Sequence, residues 1–160
     1  MLGSVMAIEL NHVPSSVTIE GENGGKLDGT PWHSSMLKGK IYTVFYVDPD
    51  KRELNTPLAH ALKARKFDRK KVNSVAIINL AATWIPNVVL ESLLKKKQKE
   101  FPDTLYVKDK KKVLVNQWNL ADDNSDILIF DQKGKLIYKK FGKVSDEEIK
   151  KIITLIEKMI

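Results

Sequence analysis

Residues 41–47 read Ile-Tyr-Thr-Val-Phe-Tyr-Val, a β-branched and aromatic run with no alternating polar face. Such a run fits a strand covered on both sides, and Asp48-Pro-Asp50 ends it. Val75-Ala-Ile-Ile-Asn-Leu80 predicts a second buried strand. Between them Thr56-Pro57 starts a helix, because proline in a first turn gives up an N–H that has no partner there. Leu58, Ala61, Leu62 and Arg65 follow at helical spacing to about Phe67. A second helix is expected to be capped by Asn87, to carry Val88, Leu90, Leu93 and Leu94, and to stop at Phe101-Pro102. A short strand near Leu105–Lys108 and a short helix near Val113–Trp118 come next.

The last third is patterned more plainly. Asp126–Phe130, a turn at Asp131-Gln-Lys-Gly134, and Lys135–Phe141 predict a hairpin. Ser145-Asp-Glu-Glu148 has the form of a capping box, and Ile149, Ile152, Ile153, Ile156 and Met159 form one apolar stripe behind it. Residues 8–40 are turn-rich, with Val17-Thr-Ile-Glu and Thr30-Pro-Trp reading as short strands around a Gly24-Gly25 turn. The sum is an α/β pattern: a mixed central sheet flanked by helices on both faces, with an N-terminal β extension. One domain is expected over 8–160, divided into an extended segment 8–40 and a core 41–160. This order of elements resembles the thioredoxin fold.

Composition narrows the chemistry. The chain has 160 residues, 42% apolar and 29% charged, which suits a folded domain with a real core. It contains no cysteine, so thiol nucleophiles, dithiol exchange, thiolate metal sites and disulfides are all excluded. His12, His33 and His60 are scattered without ligand spacing. The net charge of +7 comes from lysines gathered in 95–99 and 108–112; only Arg52, Arg65 and Arg69 are arginines. Neither run interleaves aromatics or arginine forks, so solvated surface is expected and no nucleic-acid partner. No run reaches the roughly 20 apolar residues that a transmembrane helix needs.

The N-terminus adds a hint of export. Val5 and Ala7 occupy the minus-three and minus-one places of a small-residue cleavage site. Residues 1–7 are therefore read as a signal-peptide remnant or mobile end, with cleavage after Ala7.

A further look-alike is Ala81-Ala-Thr-Trp-Ile-Pro-Asn-Val-Val89. With cysteine at Ile85 and Val88 it would resemble a thioredoxin redox centre. A dithiol of that kind follows a central strand at the start of a helix, where the helix dipole lowers the thiol pKa. Two registers meet this requirement: Asp50-Lys51-Arg52-Glu53 after Ile41–Val47, or Ile85-Pro86-Asn87-Val88 beside Trp84 after Val75–Leu80. Periodicity does not separate them.

From Leu37 onward the chain resembles the YtfJ family of bacterial periplasmic proteins, related to the TlpA and peroxiredoxin branch of the thioredoxin superfamily. The resemblance is carried by Leu37-Lys-Gly-Lys40, Glu53-Leu-Asn-Thr-Pro-Leu58, Ala64-Arg-Lys-Phe67 and Glu91–Pro102. It continues through Trp118-Asn-Leu120, Leu128–Lys135 and Val144–Glu148. It implies a periplasmic protein whose degenerate dithiol position is Asp50–Glu53, with Trp84–Val88 a decoy. It also aligns Asn124-Ser125-Asp126 with the cis-proline loop of thioredoxins. No proline stands there, and a non-proline cis bond costs about 2.5–4 kcal/mol, so a trans peptide is expected.

At that end of the sheet Asp48, Asp50, Glu53, Asp122, Asp123 and Asp126 invite a Ca²⁺ or Mg²⁺ site, although Asp/Asn/Ser clusters also build turns and caps. His33 with Ser34 or Ser35 lacks the sequence of a nucleophile elbow. Trp32, Trp84 and Trp118 would either pack or line a groove. The expected function is a non-catalytic binding or accessory role toward a protein or peptide of the cell envelope, without a cofactor. The alternatives are a metal-dependent binder or enzyme built on the carboxylates, and a structural subunit of an envelope assembly.

Overall fold

The computed structural model describes residues 7–160; Val5 and the rest of residues 1–6, on which the expected leader remnant falls, lie outside them. In chain order the elements are β1 (Thr18–Ile19), β2 (Gly24–Lys26), β3 (Trp32–His33), β4 (Ile41–Val47), α1 (Thr56–Arg65) and β5 (Val72–Asn79). They continue with α2 (Asn87–Glu100), β6 (Leu105–Asp109), α3 (Val113–Trp118), β7 (Ser125–Phe130), β8 (Leu136–Phe141) and α4 (Asp146–Met159).

Six strands form one sheet in the order β2-β6-β5-β4-β7-β8, and β1 pairs with β3 beside it. Strand β4 is parallel to β5 and antiparallel to β7, so its uninterrupted apolar run is enclosed by neighbours as well as by both faces. Strands β5 and β6 are parallel, whereas β2 and β8 are antiparallel edges. On one face Leu58 of α1, Leu94 of α2, and Ile152 and Ile156 of α4 pack with Phe45, Ile127 and Ile129. On the other, Leu114 and Trp118 of α3 join Val44, Tyr46, Leu128, Phe130 and the buried Trp32. Full burial of each such side chain contributes about 1.5–3 kcal/mol, which makes the two layers the main source of stability.

Local signals decide most boundaries. Ser145 Oγ accepts from Glu148 N at 3.1 Å while Glu148 Oε1 accepts from Ser145 N at 3.2 Å, closing the expected capping box of α4. Two expectations differ. Gly24-Gly25 is a strand, and the turn lies after it, where Gly29 N donates to Lys26 O at 2.9 Å. Both glycines have positive φ (125° and 137°), and a Cβ on Gly24 would stand 2.0 Å from Lys108 O; only glycine lets β2 approach β6 this closely. Asn87 is the first helical residue of α2 instead of its cap. Pro86 holds the cap position, and its carbonyl accepts from Val89 N and Leu90 N.

Candidate functional site

Strand β4 delivers its chain to the edge of the sheet at Asp48, which is 1% exposed. Asp48 Oδ1 accepts from Asp50 N at 2.8 Å and caps a single 3-10 turn, Pro49–Lys51. The positions Asp50, Lys51, Arg52 and Glu53 are all exposed. Arg52 folds back to donate to Pro49 O at 2.8 Å, and Glu53 Oε2 accepts from Thr56 Oγ1 at 3.2 Å. The Asn124-Ser125-Asp126 segment lies alongside, since Asp48 N donates to Asn124 O at 2.9 Å. No peptide bond among the described residues is cis.

Beneath the exposed turn sits a residue that the sequence reading gave no role. Asn55, 4% exposed at the start of α1, donates from Nδ2 to Ser125 Oγ (2.9 Å) and Gly142 O (3.1 Å). Its Oδ1 accepts from Val144 N at 2.9 Å. One amide thus ties α1, β7 and the chain leaving β8 together. The only local signal was an asparagine ahead of Thr-Pro, which reads as a helix cap, and the Asn55 side chain makes no such cap.

The opposite face of the same sheet end carries a buried polar row. Tyr46 Oη donates to Asp109 Oδ2 at 2.8 Å, and Asp109 also accepts from Val113 N and Leu114 N at the start of α3. Asn79 Nδ2 donates to Asp122 Oδ1 at 2.8 Å, and Lys112 Nζ stands 2.7 Å from Asp122 Oδ2. The bond to Lys112 holds the Asp122 carboxyl below its usual range. Asp126 pairs across from Tyr46, is 0% exposed, and neither of its oxygens has a well-formed hydrogen bond. Burial pushes it up to about 7, offset only in part by the nearby Ala121 backbone. Burial likewise raises Asp48 to about 6, and the neighbouring Asp123 adds to the shift.

The six carboxylates offered by the sequence as a metal centre are not assembled into one ligand set in this structure. No three His, Asp or Glu side chains among the described residues are arranged to hold one ion. Five of the six have another task or environment. Asp48 caps a turn, Asp50 accepts from Thr83, Glu53 holds Thr56, and Asp122 is paired with Lys112. Asp126 is fully buried.

The tryptophans do not meet in a groove. Trp32 and Trp118 are 0% and 1% exposed and donate to Met36 S and Ser15 O, whereas Trp84 is 87% exposed. Ser34 Oγ accepts from Val17 N and His33 Nδ1 meets Thr18 Oγ1, so this pair serves the β1–β3 ribbon. The Trp84–Val88 stretch, read from sequence as an alternative to Asp50–Glu53, is instead its neighbour. Thr83 Oγ1 donates to Asp50 Oδ1 at 3.1 Å and accepts from Ile85 N at 3.1 Å. The result is one continuous surface: the charged turn Asp50–Glu53 next to a loop that projects Trp84 and the first turn of α2, which projects Val88, 83% exposed.

A family of bacterial proteins of unknown function, YtfJ_HI0045, matches residues 11–159. The chain is 30% identical over 129 residues to an uncharacterised protein of Haemophilus influenzae, covering 79% of this chain and 70% of that one. It is 23% identical over 154 residues to the uncharacterised protein YtfJ of Escherichia coli, covering 92% and 83%. In three dimensions it is similar to the thioredoxin domain of a thiol-disulfide oxidoreductase from Bacteroides vulgatus. That match has a TM-score of 0.64 at 17% identity and covers 94% of this chain and 99% of that domain. The likeness shows a thioredoxin-like fold, and the absence of cysteine removes thiol-disulfide chemistry from it here. By the extent of the family match and the order of its elements, this chain belongs to the YtfJ_HI0045 family of bacterial proteins and carries its sequence on a thioredoxin-like scaffold without sulfur at the redox position.

Proposed function

We propose that the protein is a non-catalytic binding module of the bacterial periplasm. On this reading it docks a protein or peptide of the cell envelope on the surface formed by Asp50–Glu53 and Thr83–Val89. The observation that carries it is the exposure of Trp84 at 87% and Val88 at 83%, held beside Asp50 by the Thr83 hydrogen bond. A large aromatic that contributes nothing to its own core, fixed next to charged residues, matches the anchor-and-rim composition of interfaces. The small-residue pattern Val5–Ala7 and the family resemblance support export. Asp50 and Glu53 would orient a partner more than bind it tightly, since rim charges act chiefly on encounter and register.

The test is site-specific crosslinking in intact cells. A photoreactive residue at position 84 should form a discrete adduct with an envelope protein, and the same residue at position 147 on α4 should not. The adduct should disappear with Asp50→Lys/Glu53→Lys. Equal labelling from both positions, or capture unaltered by the charge reversal, would overturn the reading; so would recovery of the natural chain in the cytosolic fraction.

A further inference from the structure

On the sheet face covered by α1 and α2, the structure contains a largely apolar pocket of about 180 Å³. Its origin is a run of small residues. Strand β5 presents Val72, Ser74, Ala76 and Ile78 to this face, and the helix above contributes Ala59. Ser74 and Ala76 are too short to span the distance to α1, so Phe45, Tyr106 and Leu62 wall a space that no side chain fills. An apolar void of about 150 Å³ is known to remain dry and admit benzene, so this volume takes a ring or a chain of similar size.

The mouth has more cations than carboxylates. Arg52, Lys63, Arg69 and Lys97 line it against a single carboxylate, Asp103, which is engaged by Arg69 at 2.6 Å. Lys63 and Lys97 both lie over the Phe101 ring, at 5.3 and 5.9 Å from its centroid. Lys97 Nζ stands 3.7 Å from Glu100 Oε2, and Lys63 Nζ donates to the Glu100 backbone carbonyl. Among the described residues neither Lys63 nor Arg52 has a carboxylate within 4 Å. An apolar interior under a rim with more cations than carboxylates selects an amphiphile with a negative head.

We propose that this cavity binds a medium-chain alkyl carboxylate, its chain along Ser74 and Ala76 and its head at Lys63 and Lys97. Burying the chain supplies affinity, about fourfold per methylene at about 0.8 kcal/mol each. The lysines set which end stays outside. Arg52 is common to this mouth and the docking surface, but the chain and head sites at Ser74, Ala76, Lys63 and Lys97 share no residue with Asp50–Glu53 or Thr83–Val89, so neither that surface nor its partner is needed for binding here.

Octanoate is the probe. Titrated into the full chain, it should move the backbone amide resonances of Ser74 and Ala76 and leave those of α4 unmoved. It should also raise the melting midpoint by several degrees at ten times its dissociation constant. Butyrate should bind at least a hundredfold more weakly. Ala76→Phe, which fills the space, should abolish the response. Ser74→Leu provides a second filling change should the first fail to fold. Lys63→Met/Lys97→Met should weaken octanoate at least tenfold and leave 1-octanol unchanged. Unmoved Ser74 and Ala76 resonances at saturating octanoate would overturn the proposal. So would an undiminished response in a folded filling variant, or equal loss of octanoate and octanol in the lysine variant.

Discussion

The Asn55 side-chain amide donates to Ser125 Oγ at 2.9 Å, joining residues 70 positions apart where α1 meets the start of β7. The same amide accepts from Val144 N and donates to Gly142 O. One side chain closes this corner of the fold as a polar clamp.

Replacing the clamp tests its weight. Asn55→Ala strands Val144 N and Gly142 O in a buried place, and each lost partner costs about 1–3 kcal/mol. The expected loss is on the order of 3 kcal/mol by urea unfolding, with no change in the slope against denaturant. A change under 1 kcal/mol would show that water takes over the amide's bonds.

Asp126 gives stability a defined pH dependence. The folded protein holds its proton up to about pH 7, whereas the unfolded chain releases it near 3.8. Between those values the native state binds more protons, so stability falls as pH rises from about 4 to 7 and stays reduced above. The span corresponds to about 4 kcal/mol. Asp126→Asn should flatten the melting profile over that window and be the more stable protein at pH 8. A residual slope ending near pH 6 should remain, because Asp48 is raised to about 6 with the same sign. Parallel profiles for the two proteins would count against a buried neutral acid.

Gly24 is constrained by backbone, not by a flexible side chain. Gly24→Ala puts a Cβ against Lys108 O and demands a φ of 125° from an L-residue. Strain of this type costs about 1–3 kcal/mol, and β2 is a three-residue edge strand with little to hold it in place. Hydrogen exchange should accelerate at the amides of β2 and at Lys110, whose N–H bonds Asn23 O, while β4 and β5 remain protected. Unchanged exchange along β2 would refute the steric account.

Trp84→Ala separates binding from folding. The side chain is 87% exposed, so the melting midpoint should move by less than about 2 °C, within the ±0.5 kcal/mol usual for surface changes. Envelope crosslinking from position 88 should nevertheless fall at least tenfold. Retained crosslinking would remove Trp84 as the anchor.

Much of the architecture was legible because its signals are local. The run 41–47 marked a strand covered on both faces, since no charged position and no polar alternation interrupts it, and its observed bounds are the same. The Ser145–Glu148 box and the Asp131–Gly134 turn depend on hydrogen bonds spanning only a few residues, and both form. Gly24-Gly25 was misread as a turn because a glycine pair looks the same whether it bends the chain or lets a neighbouring strand come close. Asn87 was misread as a cap because its side chain permits capping, while Pro86 holds the position.

By itself the sequence determined the order of strands and helices, the exclusion of sulfur chemistry and the family resemblance, all of which follow from residue identity and short-range periodicity. Only the tertiary structure decided that Tyr46 would reach Asp109, that Asn55 would clamp Ser125, and that Trp84 would stand beside Asp50. It also gave Asp48, Glu53 and Asp122 separate partners and left a space above Ser74 and Ala76. Those outcomes depend on which distant segments share a neighbourhood, on burial, and on gaps between side chains. All three are set when the layers pack, and no periodicity in the chain encodes them.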